Sequence, residues 1–197
     1  MADLVIRNGL IVDGTGAPGV VGDISITDGV LTQVGGTVAG TGAEEIDATG
    51  RIVTPGFVDV HSHYDGQVFF DNALTPSNGH GVTTVVLGLC GVGFAPARPT
   101  DHEMLITTME SVEDIPGDVL RVGLPWTWES FPEFLNAVEA NSYAMNVAAQ
   151  IGHIPVRSYV MGERAIANEP ATPDDIAAMS AIVREAVDAG AVGFSTS

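Results

Sequence analysis

The chain has 197 residues, 45% of them hydrophobic, with 25 acidic against 7 basic residues and a net charge of −18. All seven cations are arginine and no lysine occurs, which excludes the clustered positive charge that holds nucleic acid or an anionic membrane. The single cysteine, Cys90, excludes an internal disulfide, the start MADLVIRNGL lacks a signal-peptide pattern, and no apolar run approaches a membrane span, so a cytoplasmic protein is expected.

Residues 1–54 read as short strands joined by tight turns. In LVIRNGLIVDG two apolar runs are broken by Asn8-Gly9, which predicts a hairpin. DISITDGVLTQVGG alternates through Ile24 and Ile26, turns at Asp28-Gly29 and resumes with Val30 and Leu31. EEIDATGRIVTPG adds two short strands around Thr49-Gly50. The expectation is a small β unit with too few large apolar residues to stand comfortably alone.

The organisation changes at Pro55-Gly56. The stretch VTPGFVDVHSHYD, residues 53–65, is a short β-branched run that suits a buried strand and ends in two histidines one residue apart. Alternate strand residues face one side, which sets His61 and His63 together, roughly 6.6 Å apart along the strand. Imidazole is the commonest metal ligand, so the pair is a candidate metal site; an H-x-H in a surface loop is the alternative. GVTTVVLGLC (81–90) predicts a second buried strand ending at Cys90. FPEFLNAVEA (131–140) predicts a helix with Phe131, Phe134, Leu135 and Val138 on one face.

A third strand opens NVAAQIGHIPVRSYVMG and ends near His153. TPDDIAAMSAIVREAVDAG (172–190) predicts the clearest helix, capped by Thr172, with Pro173 in the first position, Asp174 and Asp175 at the positive end and Gly190 closing it. Its buried stripe is expected at Ile176, Met179, Val183 and Val187. AVGFSTS follows as a fourth strand. Alternating strands and helices imply a parallel sheet, open or closed into a barrel.

In a parallel sheet the carboxyl ends of the strands share one face, where α/β sites are built. His61 and His63 end the first strand, Cys90 the second, and His153 lies near the end of the third. For Cys90 the alternative is a small buried hydrophobe; for His153 it is a hydrogen-bonded core histidine. His80 precedes the second strand and is expected on the opposite face, in a structural role. His102 follows a proline-rich loop with no partner evident in the sequence.

PGFVDVHSH after a small β unit resembles the amidohydrolase superfamily of metal-dependent hydrolases. HGVTTVVLGLCGVGFAPARP, MESVEDIPGDVLRVGLPWTWESFPEFLNAVEA and GERAIANEPAT...AGAVGFSTS further resemble the D-aminoacylase group, the N-acyl-D-amino-acid deacylases, over nearly the whole chain. The resemblance maps the H-x-H pair onto His61 and His63 and a cysteine ligand onto Cys90, with Zn2+ as the cofactor. Where that group reads Gly-Asn-Cys-Gly, this chain has Gly88-Leu89-Cys90-Gly91. Related enzymes bridge two metals with a carboxylated lysine on the fourth strand. With no lysine here, the resemblance implies that a thiolate can supply the negative bridging charge instead.

The fold class implied is α/β: the first half of a metal-dependent-hydrolase (β/α)8 barrel, residues 55–197, preceded by part of a small β-sandwich domain, residues 1–54. A complete barrel has eight strands and about 250 residues, so the chain reads as the first part of a longer enzyme. Its catalytic aspartate and missing C-terminal half would then lie beyond residue 197. The strands' apolar faces at Val58, Val60, Val85, Val86 and Val147 are accordingly expected to lack cover. The implied reaction is zinc-dependent hydrolysis of an N-acyl-D-amino acid, a small-molecule substrate whose carboxylate needs a cation, for which Arg157 is the candidate. Ser195 and Ser197 could line the pocket. The alternatives are a cyclic amide or imide hydrolase of the same superfamily, and an inactive or assembly-dependent fragment.

Overall fold

Asn8-Gly9 does not turn the chain. β1 runs unbroken through Leu4–Ile11, and the dipeptide forms an irregularity where its register to β2 (Val20–Thr27) shifts between Ile6 and Gly9. Asn8 takes the left-handed conformation, φ 58°, and its N–H donates to Asp23 Oδ1 at 3.0 Å. A bulge needs the same left-handed residue as a tight hairpin, so the dipeptide alone does not distinguish them. Asp28-Gly29 is a true hairpin turn with both φ positive, 51° and 74°, joining β2 to β3 (Val30–Val34).

The computed structural model describes Met1–Ser197 as two compact units, Met1–Gly56 and Phe57–Ser197. In the first, β4 (Glu44–Asp47) and β5 (Ile52–Val53) both lie parallel to β1, one beside each half of it. Arg7 ties the long β3–β4 connection down, donating to Val38 O at 2.7 Å and Gly40 O at 2.5 Å while pairing with Asp23 and Glu45. One face of this sheet carries an open apolar depression of ≈ 480 Å³ lined by Ile6, Ile24, Ile26, Leu31 and Val53.

The second unit is a parallel sheet of β6 (Phe57–Asp59), β7 (Val82–Leu87), β8 (Asn146–Gly152) and β9 (Gly193–Ser195), in that spatial order. Chain order and spatial order coincide. That is the wall of a barrel, not a doubly wound sheet, whose order reverses at a switch point. Between β7 and β8 run α1 (His102–Glu113), α2 (Gly117–Gly123) and α3 (Phe131–Glu139); between β8 and β9 run α4 (His153–Met161), α5 (Glu163–Ile166) and α6 (Pro173–Asp188). No helix is long and apolar enough to cross a membrane.

The core joins sheet to helices through Val85, Leu87, Phe94, Leu105, Met109 and Phe134. Trp128 is buried beside them and its indole N–H donates to Phe94 O at 2.8 Å. Two expectations are corrected here. Val85 and Val86 are buried by the chain's own helices and loops, whereas Val58 and Val60 are 55% and 64% exposed. On α6, Ile176 and Val187 are exposed; the inward line is Met179, Ile182, Val183 and the fully buried Ala186. Both sets obey the helical period, so it is the packing of α6 and not the period that turns Met179, Ile182, Val183 and Ala186 inward. Its capping box is complete: Thr172 Oγ1 accepts from Asp175 N–H at 3.2 Å and Asp175 Oδ2 accepts from Thr172 N–H at 2.8 Å.

Candidate metal centre

β6 stops at Asp59, so His61 and His63 lie in the segment just past the strand and are not held by a strand ladder. The residue between them does the anchoring. Ser62 is buried, and its N–H and hydroxyl both donate to Val86 O, at 3.3 and 2.9 Å. Asp59 Oδ1 adds an acceptor for His61 N–H at 3.1 Å. With Ser62 tied to β7, the two flanking imidazoles come to 5.4 Å between ring centroids.

Cys90 follows β7 by three residues, in a turn that starts at Gly88. Gly88, Cys90 and Gly91 are all left-handed, with φ of 78°, 52° and 71°. The glycine at 88 is required by space as well as by φ, since a Cβ there would stand 2.0 Å from Gln150 O. This turn brings Cys90 Sγ to 3.0 Å from His61 Nε2. One donor atom from each of His61, His63 and Cys90 lies within 4.8 Å of the others.

His63 is the more enclosed histidine. Its Nε2 lies 3.2 Å from Glu113 Oε1, and its Nδ1 is buried with no hydrogen-bond partner. Burial holds its pKa below the usual imidazole value; the Glu113 carboxylate opposes that shift and His61 adds to it. The neutral form, which keeps a lone pair for a metal, is therefore the favoured one. Asp65, also enclosed, is pushed up to about 7 by burial, against the pull of the Asp65 and Gly88 N–H groups, and Glu113 adds to the rise. Its Oδ2 has no partner.

Two imidazoles, one of them with an orphaned, buried ring nitrogen, and a thiol make a donor set that fits a divalent metal such as zinc. Glu113 and Asp65 escape sequence reasoning. Glu113 is 50 residues from His63 and reaches it only because α1 ends there, and α1 itself is not evident from the sequence. Asp65 lies two residues past the histidine pair, with nothing in its spacing to mark it.

The other sequence candidates do not join this three-residue cluster. His153 opens α4, with Nδ1 3.4 Å from Thr196 Oγ1. His80 ends an exposed turn before β7. His102 stacks on Trp126 at 3.7 Å between centroids, a partner the sequence does not reveal. Arg157, on α4, lines a groove with His153, Met104 and Thr108, and its Nη2 donates to Glu169 O at 2.5 Å. Ser197 is exposed, whereas Ser195 is buried against the cysteine turn.

Comparison with known proteins gives the same direction. Residues 44–197 match the model of the amidohydrolase family. The D-aminoacylase of Alcaligenes xylosoxydans xylosoxydans is 32% identical over 98% of this chain, and the N-acyl-D-aspartate deacylase of the same organism 34% identical over 99%. The crystal structure of N-acyl-D-glutamate deacylase from Bordetella bronchiseptica, complexed with zinc and a phosphonate inhibitor, superposes on 99% of the chain with a TM-score of 0.78 and 33% identity. The chain spans little more than a third of these proteins, 37%, 36% and 38% of their respective lengths. Sheet order, site geometry and similarity over almost every residue agree: the chain belongs to the amidohydrolase family.

Proposed function

We propose that His61, His63 and Cys90 hold a zinc ion and that the full-length protein, completed by the later strands its relatives carry, hydrolyses the amide bond of N-acyl-D-amino acids to a carboxylate and a free D-amino acid. The observation that carries this reading is the convergence of the two imidazoles and the thiol within 4.8 Å from segments following two neighbouring strands. The names of the related deacylases, and the zinc in one of their structures, support the substrate class and the metal.

A zinc ion bound there supplies Lewis acidity toward the amide carbonyl and acidifies water. The chain's own residues position and tune the site. Ser62 fixes the spacing of the histidine pair by its double bond to Val86 O. Burial keeps His63 neutral and able to donate its lone pair. Glu113 opposes the loss of positive character at His63 and holds the ring's Nε2 edge at 3.2 Å. Arg157 serves a substrate carboxylate only by exchanging its bond to Glu169 O.

The test is to supply zinc-loaded protein extended to the length of its relatives with N-acetyl-D-amino acids, their L counterparts and a hydantoin, and to measure free amine from the acyl amino acids and ring opening of the hydantoin. Release from the D series alone, abolished by a chelator and restored by zinc, is expected. Turnover of the hydantoin in place of the acyl amino acids would overturn the substrate assignment.

A further inference from the structure

Ser195 lies inside the turn that carries Cys90. Its hydroxyl accepts from Gly91 N–H at 3.1 Å and donates a short hydrogen bond to Gly88 O. The residue is 7% exposed, although it comes from the end of β9, more than a hundred residues along the chain. One hydroxyl thus closes both ends of a turn whose middle residue is the cysteine.

The turn needs such a clasp. A cysteine at φ 52°, ψ 19° is outside the conformations that a side chain prefers, and it persists only where the surroundings impose it. The surroundings here are the ends of β8 and β9. A Cβ on Gly88 would strike Gln150 O, and one on Gly91 would stand 3.2 Å from Thr196 Cα. Gly88 and Gly91 are both buried, so the carbonyl and N–H that Ser195 satisfies have no ready access to water in its place. Backbone contact presses the turn into position, and the Ser195 hydroxyl pins its two ends.

We propose that Ser195 is the positioning residue for Cys90. Through it the fourth strand sets where the thiol stands relative to His61 and His63. The proposal rests on the metal reading above, because a position for the thiol matters to the protein only if something is bound by it. Removing the hydroxyl leaves Gly88 O and Gly91 N–H unpaired. The turn then relaxes, and the 3.0 Å approach of Cys90 Sγ to His61 Nε2 is no longer enforced.

The test uses the chelator-stripped protein titrated with Co2+, reading both the dissociation constant and the near-ultraviolet thiolate-to-cobalt absorption. Wild type is expected to show that absorption. Ser195→Ala is expected to bind Co2+ about 10–100-fold more weakly, the usual effect of losing a supporting partner, with the thiolate absorption weakened or shifted. Ser195→Thr keeps the hydroxyl and should restore both. If Ser195→Ala does not fold, the comparison of Ser195→Thr with Ser195→Val, equal in shape and different in the hydroxyl, carries the same question. Wild-type affinity and absorption in Ser195→Ala, or in Ser195→Val, would overturn the proposal and leave the metal site standing. So would a loss of thermal stability, equal with and without Co2+, accompanied by an unchanged absorption. No thiolate absorption in wild type would overturn the metal reading itself, and this inference with it.

Discussion

His61 Nε2 and Cys90 Sγ stand 3.0 Å apart, although 29 residues separate them in the chain. The approach is made by two independent devices, the Ser62 anchor on one strand end and the left-handed turn on the next. A thiol kept in that turn for its size alone would gain nothing from the strain of φ 52°.

Cys90→Gly separates the ligand from the turn. Glycine adopts the left-handed conformation freely, so the metal-free protein should melt at or above the wild-type temperature. Metal affinity should fall by more than the roughly 10–100-fold that losing a supporting residue causes. Calorimetry of the stripped protein together with a zinc titration checks both halves. Wild-type zinc affinity would reduce Cys90 to a packing residue.

Gly88→Ala tests the turn itself. Its Cβ would meet Gln150 O at 2.0 Å, a backbone atom that cannot swing aside, at a φ of 78° that alanine resists. A destabilisation of about 3 kcal/mol or more is expected, with metal binding lost, since the clash displaces the turn or the end of β8. Urea unfolding of the variant measures it, and a shift below about 1 kcal/mol would mean that the turn is loosely held.

Glu113→Gln keeps the shape of the side chain and removes its charge beside His63 Nε2. Metal affinity should drop about tenfold, the lower end of what supporting partners contribute. Competition against a chelating dye gives the number. Unchanged affinity would make the 3.2 Å contact incidental.

Much of the fold is legible in the sequence because its signals are local. Thr172, Pro173 and Asp175 mark the start of α6, and apolar β-branched runs mark β7 and β8. What fails depends on partners. Asn8-Gly9 becomes a bulge because β1 is needed whole by β2, β4 and β5. α1 is hidden because its threonines carry little helical preference and its three buried residues, Leu105, Ile106 and Met109, show their stripe only once packed. At the site, the sequence points to His61, His63 and Cys90 through the rule that parallel strands end on one face. It does not show that β6 is only three residues long, so the anchor at Ser62 and the clasp at Ser195 emerge from the structure alone.

Acid stability offers a check away from the site. Asp71 accepts hydrogen bonds from Thr75 Oγ1 at 2.7 Å, Thr75 N–H at 2.9 Å, Gln67 Nε2 at 2.9 Å and Ala73 N–H at 3.0 Å, folding a tight loop that buries Leu74 at φ 54°. These bonds, the Thr75 hydroxyl's first, hold the carboxyl down to about 2 from an ordinary 3.8. A depressed carboxyl contributes stability that is complete above the unfolded value and is lost as pH falls through the folded one. Melting temperature should therefore fall between about pH 4 and pH 2 in wild type, and less steeply in Asp71→Asn. Parallel curves would show that the loop does not depend on the charge.

A metal held by two imidazoles and one thiolate has a distinct signature in X-ray absorption at the zinc edge of the zinc-loaded protein. One sulfur at about 2.3 Å and at least two imidazole nitrogens at about 2.0–2.1 Å are expected. A shell of nitrogen and oxygen with no sulfur would contradict that coordination.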